Sequence, residues 1–571
     1  MAGAAVKVLY NLELTSMIVQ WLKFITLEEH DLTLEENQKP TLPASWTASF
    51  TLLTTVNRAF FHASIEVLWE RLVSFAPLFG YVLPADRDKN GRLLTPMSYQ
   101  NHELTDAHWE RFRFYVLKIK TLVLDKESPR IRSIWLSHLL DSTGRPTTLL
   151  PSLRELFLAS TNPLALHLAY NSLQVLQFIE ADLSTKSDSE TRDDSKAFTT
   201  GLHQSAVSLT ELRFAQPMAN NVLKNIVRIG TLTSLHITIG HRGAKPPNLG
   251  NLADIPLLKQ LSIKEDLDPK DEAAAVIFPG KVTCDPQRLS AQESHLPHLR
   301  KLTVQASGTT QVHIAATLFP SNLEVLDLLI LPDKLNVQVV LVPLVVTIYA
   351  NRNTSLTSLT VDTPKRLTAF VRVEAMKCVR EGAQYDKLEP FLESITNLHH
   401  LQHLTIRDVA FVATDIVPKL LRVVVCLPSL ERLIIDPVPL TKLKEDNLKL
   451  PTLKALEDIA VFNPSLQWLE IAVDISPGEV PDPPEDSLQC HNLEWIVVYS
   501  SRHDKCTIEE KFGIARYLDI LFPQVRMHTS VWADNDENKD FWVFIDQAML
   551  FSRDACDQAI SRLEKRSQKR E

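Results

Sequence analysis

The segment PSLRELFL, Pro151–Leu158, contains a short phrase that returns along most of the chain. It recurs as PSLERLII at Pro428–Ile435 and as PSLQWLEI at Pro464–Ile471. The phrase is leucine, two variable residues, leucine, one variable residue and an apolar residue. Thirteen copies, given by their three apolar positions, are Ile119/Leu122/Leu124, Leu153/Leu156/Leu158, Leu173/Leu176/Phe178, Leu209/Leu212/Phe214, Leu232/Leu235/Ile237, Leu258/Leu261/Ile263, Leu299/Leu302/Val304, Leu323/Leu326/Leu328, Leu356/Leu359/Val361, Leu401/Leu404/Ile406, Leu430/Leu433/Ile435, Leu466/Leu469/Ile471 and Leu493/Ile496/Val498.

The spacing within and between these copies predicts a stacked repeat. The last two apolar positions are two residues apart, which is the period of a strand with one buried face. Successive copies begin 20 to 45 residues apart, enough for one strand and a helix or loop. Such a unit cannot bury its apolar edge alone and has to stack on its neighbours. We therefore expect parallel strands on the inner side and helices on the outer side.

Composition excludes several classes of function. The chain has 571 residues and a net charge of −9, so it lacks the basic footprint of a nucleic-acid-binding protein. Its six cysteines are scattered without a C-x-x-C pair, which indicates reduced thiols and a cytoplasmic or nuclear location. The most apolar run, Val337–Ala350, is too short to span a bilayer and is expected to be the buried part of a repeat.

The N-terminal segment predicts two helical stretches with apolar faces, over residues 11–25 and 47–72, joined by an acidic loop. These stretches resemble the F-box. Leu12-Glu13-Leu14 takes the place of the family's opening Pro-Glu-Leu-Leu, so Leu12 stands where the family has proline. Val56-Asn57-Arg58-Ala59-Phe60 matches its Val-Cys/Asn-Arg/Lys-x-Phe/Trp, and Leu68-Trp69 matches its closing Leu-Trp. Helix packing with a cap at Asn57 is the alternative explanation of the same residues.

The thirteen copies resemble the leucine-rich repeat, and the whole arrangement resembles the F-box/leucine-rich-repeat proteins abundant in mushroom-forming fungi. One departure is that the asparagine or cysteine expected eight residues after the first leucine is missing, as at Thr161 and Ala181. The resemblance implies an α/β fold with an α-helical F-box, an irregular solenoid of parallel inner strands and outer helices, and a C-terminal helical cap. The expected domains are residues 1–84 for the F-box-like part, 85–118 for a connector, 119–531 for the solenoid and 532–571 for the cap with a basic tail.

The resemblance further implies a substrate-recognition adaptor of a Skp–cullin–F-box ubiquitin ligase, acting in ubiquitin-dependent protein catabolism. Its partners would be a Skp-family adaptor with its cullin complex and an unknown protein substrate. A stand-alone leucine-rich-repeat scaffold that binds a protein partner without a ligase is the alternative. The residues expected to bind the adaptor are Leu14, Met17, Ile18, Val56, Asn57, Arg58 and Phe60.

Large side chains at outward-facing strand positions predict a second binding surface. Residues between and just after the buried positions of a strand point away from the core, and aromatic and arginine side chains dominate many interfaces. Two explanations stay open, since these residues could bind a partner or lie under the C-terminal helix. The predicted partner-binding residues are Arg407, Arg432, Trp468, Glu470, Trp495 and Tyr499.

The sequence offers no catalytic motif, and we expect no enzyme activity, cofactor or metal. It contains no G-x-S-x-G, H-E-x-x-H or phosphate-binding glycine loop. His399, His400 and His403 form a histidine cluster, but His403 falls inside a predicted strand, which favours a solvated repeat edge over a metal site. A catalytic pair assembled from distant repeats remains the alternative that a sequence cannot reveal.

Overall fold

The computed structural model describes most of the repeat phrases and both terminal helical regions, and the chain divides into two compact units, Met1–Leu258 and Lys259–Glu571. The described residues are 12–31, 44–74, 77–78, 82, 105–124, 149–159, 172–178, 202, 207–218, 220–240, 248–266, 294–331, 335–362, 388–407, 416–436, 450–475, 480–481, 491–499, 506–528 and 537–568.

The first unit combines N-terminal helices with a parallel sheet whose strands follow one another in chain order. Its helices are α1 (Leu12–Asp31), α2 (Ala44–Leu53), α3 (Arg58–Glu70), α4 (Asp106–Val116) and α5 (Asn220–Ile226), with a 3-10 helix at Leu249–Asp254. Its strands are β1 (Arg71–Leu72), β2 (Thr121–Leu124), β3 (Glu155–Leu158), β4 (Val175–Phe178), β5 (Glu211–Pro217) and β6 (Ser234–Gly240).

The second unit continues the same pattern with longer helices. Its strands are β7 (Gln260–Asp266), β8 (Ser294–Leu296), β9 (Lys301–Ser307), β10 (Leu318–Pro320), β11 (Val325–Leu331), β12 (Ser358–Asp362), β13 (His403–Arg407), β14 (Arg432–Asp436), β15 (Trp468–Ala472), β16 (Trp495–Tyr499) and β17 (Arg526–Met527). Its helices are α6 (Gly308–Thr317), α7 (Leu335–Arg352), α8 (Leu388–Thr396), α9 (Ile416–Val424), α10 (Ala455–Phe462), α11 (Ile508–Leu521) and α12 (Glu537–Gln568).

The predicted strand phrase is confirmed, because each of its thirteen copies carries one strand and the strands pair in parallel. Within each unit, the second apolar residue of a copy lies level with that of the next copy, as Leu404, Leu433 and Leu469 show. These side chains are buried, so they form a continuous apolar stack. The mixed α/β class with a large parallel sheet is therefore correct, and helix exceeds strand among the described residues.

A tight turn before several of the strands explains why some copies begin with Pro-Ser. The backbone N–H of Leu466 donates to the carbonyl of Asn463 at 3.0 Å, and Leu430 donates to Leu427 at 3.2 Å. Proline favours the second position of such a turn because its fixed φ suits that position. Pro464 and Pro428 occupy it, so the phrase specifies the turn as well as the strand.

Buried asparagines do occur in the repeats, but three residues before the first leucine rather than eight after it. The side-chain amide of Asn463 donates to the carbonyls of Val424 (3.1 Å) and Leu427 (2.9 Å) in the preceding repeat. Asn353 accepts from the N–H of Leu323 at 3.1 Å and is fully buried. These side chains therefore provide hydrogen-bond partners for backbone groups. Where an apolar residue occupies the same position, those backbone groups need other partners.

The predicted domain boundaries differ from the structure at the start of the sheet. Strand β1 lies inside the segment expected to be purely helical, and it pairs with β2 through Arg71 and Thr121. Helix α4 lies inside the expected connector. The parallel sheet thus begins at residue 71 rather than at 119, because α3 passes directly into a strand.

The predicted buried run at Val337–Ala350 is part of α7, whose described side chains Val345, Val346 and Tyr349 are buried. No helix in the described part of the chain is both long and apolar enough to cross a membrane.

The C-terminal helix α12 packs against α11 and β17, as expected of a cap. Its first half buries Phe541, Ile545 and Met549, whereas Ile560, expected on the same buried side, is exposed. Arg553 fastens the two helices by donating to Asp519 at 2.6 Å. The packed part of the helix therefore ends near this arginine.

Candidate functional site

The N-terminal helices have a small core of their own, built on the inner side of α1. Val19 packs with Phe60, Ala63 and Val67 of α3, and Leu22 adds to this cluster. Phe60 is therefore a core residue, which corrects its prediction as an exposed adaptor-binding residue.

The Asn57 side chain caps α3 by accepting a hydrogen bond from the N–H of Phe60 at 3.0 Å. This side-chain acceptor satisfies one of the N–H groups left without a partner at a helix start. Asn57 therefore caps a helix and Phe60 packs in a core, as the alternative explanation by helix packing expects. Arg58, the residue between the cap and the buried positions, is exposed.

The opposite side of α1 presents an exposed apolar stripe, defined here as Leu14, Met17, Ile18 and Trp21. Their exposed fractions are 39%, 65%, 41% and 63%, respectively. The spacing of three, four and seven residues places them on one helix face. Leu14, Met17 and Ile18 were predicted to bind the adaptor and are exposed, whereas Val19 is buried. Helix α1 is therefore apolar on both sides.

Two further apolar side chains extend the exposed surface of this region. Leu52 at the end of α2 is 68% exposed and Val56 in the following turn is 57% exposed. Helices α1 and α2 both pack against α3. Sequence analysis named Val56 but missed Trp21 and Leu52 as exposed residues, since their helical spacing looks the same as that of core residues.

The N-terminal helices are joined to the sheet without a linker. Helix α3 passes into β1, and the carbonyl of Glu70 accepts from the N–H of Lys120 at 2.8 Å. Trp69 stacks against Tyr115 of α4 with ring centres 4.3 Å apart. The exposed stripe therefore belongs to the same compact unit as the first strands.

The predicted partner-binding surface on strands β13–β16 is partly covered. Glu470 is only 3% exposed and accepts from Arg407 at 3.0 Å, so these two side chains bind each other. The neighbouring outward-facing positions Ile434 and Val497 are also buried. Glu470, predicted as a partner-binding residue, is therefore covered and paired rather than exposed.

One row of outward-facing residues stays accessible at the start of these strands. Arg432 is exposed, and its guanidinium lies 4.9 Å from the centre of the Trp468 ring. Trp468 and Trp495 are half-buried with ring centres 6.4 Å apart. His528 contacts both indoles, at 5.0 Å and 5.5 Å. Tyr499 lies opposite Ala472 in the sheet, and its side chain is outside the described part.

The described ring contacts of the two indoles are with each other, with Arg432 and with His528. Sequence analysis left open whether the C-terminal helix covers them. That helix has two buried aromatic residues, Phe541 and Trp542, whose ring centres lie 4.9 Å apart.

One serine, one histidine and one glutamate come together on β5 and β6. Ser234 lies 3.3 Å from Nε2 of His236, and Glu211 lies 3.6 Å from the same nitrogen. A nucleophile–base relay needs the two ring nitrogens to serve the nucleophile and the orienting acid separately. This serine, histidine and glutamate therefore do not form a triad.

The predicted histidine cluster is split between two places. His399 and His400 line a shallow cleft of about 460 Å³ together with Asn351 and Asn397. His403 lies in β13, where its strand neighbour is Arg432. Among the described residues, no group of three or more histidine, cysteine or acidic side chains is placed to hold a metal ion.

No protein-family model matches the chain, and no curated protein matches it either. The inference of function therefore starts from the exposed stripe of α1 and from the row around Trp468 and Trp495.

Proposed function

We propose that this protein is a substrate-recognition adaptor of a Skp–cullin–F-box type ubiquitin ligase. The N-terminal helices bind a Skp-family adaptor, and the repeat strands hold a protein substrate. Other subunits carry out ubiquitin transfer, so the chain works by binding. The observation that supports this proposal best is the exposed stripe of α1.

The stripe is unusual because α1 already has a packed inner side. Exposed apolar groups in a cluster mark interaction sites, and a helix that presents residues at spacings of three, four and seven suits an apolar groove. Fully burying one such side chain contributes roughly 1.5–3 kcal/mol, and these four start about half exposed, so each can add about half of that on binding. Trp21 is the residue most suited to dominate that interface.

The proposal is tested with the full chain and a purified Skp-family adaptor, by calorimetry. Met17→Glu and Trp21→Glu place charge in the stripe, and each is expected to abolish binding without lowering the melting temperature. Val207→Glu is the matched control, because Val207 is 63% exposed in the same unit but lies outside the N-terminal helices. Binding that survives both stripe substitutions contradicts the proposal.

Point substitutions are preferable to removal of the N-terminal helices. A deletion of residues 1–72 also removes β1, and this exposes the edge of β2 that pairs with it. A chain that binds no Skp-family adaptor but captures a partner through its strands supports the alternative function, a stand-alone repeat scaffold.

A further inference from the structure

Four residues of the second unit lie side by side across its last strands and form what we term the basic–aromatic row: Arg432, Trp468, Trp495 and Arg526. Arg432 is opposite Trp468, Trp468 is opposite Trp495, and Trp495 is opposite Arg526. The four side chains therefore project from the same level of four consecutive strands.

The row is the accessible border of an otherwise covered face. Both arginines are exposed and both indoles are half-buried. Two positions further along the strands, Ile434, Glu470 and Val497 are buried. A ligand on this part of the sheet therefore meets the row and not the residues behind it.

The charge of the row is positive at both ends. It contains two guanidinium groups and no carboxylate, and the nearby Glu470 is neutralised by Arg407. Glu431 and Glu494 precede their strands, and Asp436 ends β14 opposite Arg407, so all three lie outside the row. The row thus complements a ligand with separated negative charges.

The spacing of the arginines defines the length of that ligand. Neighbouring strands are about 4.8 Å apart, so three steps separate Arg432 from Arg526 by about 14 Å. An extended peptide advances about 3.3 Å per residue and covers this distance in about four residues. Its central residues would then lie over Trp468 and Trp495, whose rings present apolar surface.

We propose that the basic–aromatic row binds an extended acidic segment of the protein partner. The segment carries two carboxylates about four residues apart, one for each arginine, with apolar residues between them on the indoles. The inference rests on one part of the proposed function, namely that the repeats bind a protein. It names the chemistry of the segment that they recognise.

The probe is a short fluorescent peptide with two glutamates separated by proline–leucine–proline, and its binding to the full chain is followed by fluorescence anisotropy. A peptide with glutamines in place of the glutamates is the control ligand. We expect the glutamate peptide to bind and the glutamine peptide to bind at least about tenfold more weakly, because charge-assisted hydrogen bonds are lost.

Variants of the chain locate the binding. Arg526→Ala is expected to weaken binding of the glutamate peptide about tenfold, and Arg526→Glu to weaken it further, because the second glutamate then meets a carboxylate. Arg228→Ala is the control, since Arg228 is exposed in the first unit. All variants should keep the wild-type melting temperature.

Three results overturn the inference: no binding of the glutamate peptide, equal binding of the glutamine peptide, or unchanged binding by Arg526→Ala and Arg526→Glu. The adaptor assay on the same variants separates this inference from the proposed function. Arg526 lies far along the sequence from α1, and its substitution should leave adaptor binding unchanged.

Discussion

The carboxylate of Asp546 accepts a hydrogen bond from the backbone N–H of Met527 at 3.0 Å. Met527 belongs to β17, which pairs with β16 through Ile496. The next strand of a repeat would normally accept from such an N–H group. Helix α12 supplies the acceptor instead, so this contact covers the outer edge of the last described strand.

Removal of that acceptor should destabilise the C-terminal end. Asp546→Ala leaves the Met527 N–H without its partner, which we expect to cost about 1–3 kcal/mol in free energy of unfolding. Denaturant titration of the full chain measures this loss. Asp554→Ala, an exposed position on the same helix, is the control and should change stability by less than about 0.5 kcal/mol. Equal stability of the two variants would show that the hydrogen bond does not secure the edge.

Asn463, which links two repeats, should contribute more to folding stability than its size suggests. Leu427 occupies the equivalent position of the preceding repeat, so Asn463→Leu introduces the residue that is found there. The substitution removes both donors to the Val424 and Leu427 carbonyls. We expect a loss of roughly 1–3 kcal/mol per unsatisfied buried group. Asn492→Leu at an exposed turn position is the control for the same chemical change. A neutral Asn463→Leu variant contradicts the linking role.

The two sides of the N-terminal helices should respond oppositely to truncation. Phe60→Ala removes a buried ring and should cost about 3–5 kcal/mol of folding stability. Met17→Ala changes an exposed side chain and should alter stability by less than about 0.5 kcal/mol, while it weakens adaptor binding. Thermal melting and calorimetry separate the two effects. Comparable destabilisation by both variants would place Met17 in the core.

His491 should make stability depend on pH. Burial lowers the pKa of this imidazole, and backbone groups of Asn463 and Ile459 oppose the shift in part. Its Nδ1 accepts from the N–H of Leu493 at 3.0 Å, which requires that this nitrogen carry no proton. The folded state therefore favours neutral histidine. The stability that this provides is complete above the unfolded pKa of about 6.5 and is lost as the pH falls below it.

The test compares wild type with His491→Asn by urea unfolding between about pH 7.5 and pH 5. We expect wild type to lose more stability than the variant over this range, by up to about 1.4 kcal/mol per pH unit. Carboxylates contribute equally to both proteins, so the difference isolates the histidine. The same loss in both proteins would exclude His491 as its cause.

Much of the repeat region was predictable because the spacing of the leucines shows the period of a strand. Copies such as Leu430/Leu433/Ile435 specify a buried face, and the preceding Pro-Ser specifies the turn. The terminal strands β1 and β17 were missed, since two residues are too few to show a period.

Exposure at the binding surfaces was harder to predict. Helix α1 has apolar residues on two sides, and periodicity cannot decide whether Val19 or Met17 faces the core. A signal for the covered face of β14–β16 was present, because Ile434-Ile435 and Ile496-Val497-Val498 are continuous apolar runs typical of strands buried on both sides. Sequence analysis used only the alternating positions and therefore expected that face to be open.

The most direct test of the proposed function is the affinity of the intact chain for a purified Skp-family adaptor, measured by calorimetry with wild type and Trp21→Glu side by side. The account predicts a specific complex with the wild type, none with Trp21→Glu, and equal melting temperatures for the two proteins. Absence of binding by the folded wild type, or undiminished binding by Trp21→Glu, would contradict it.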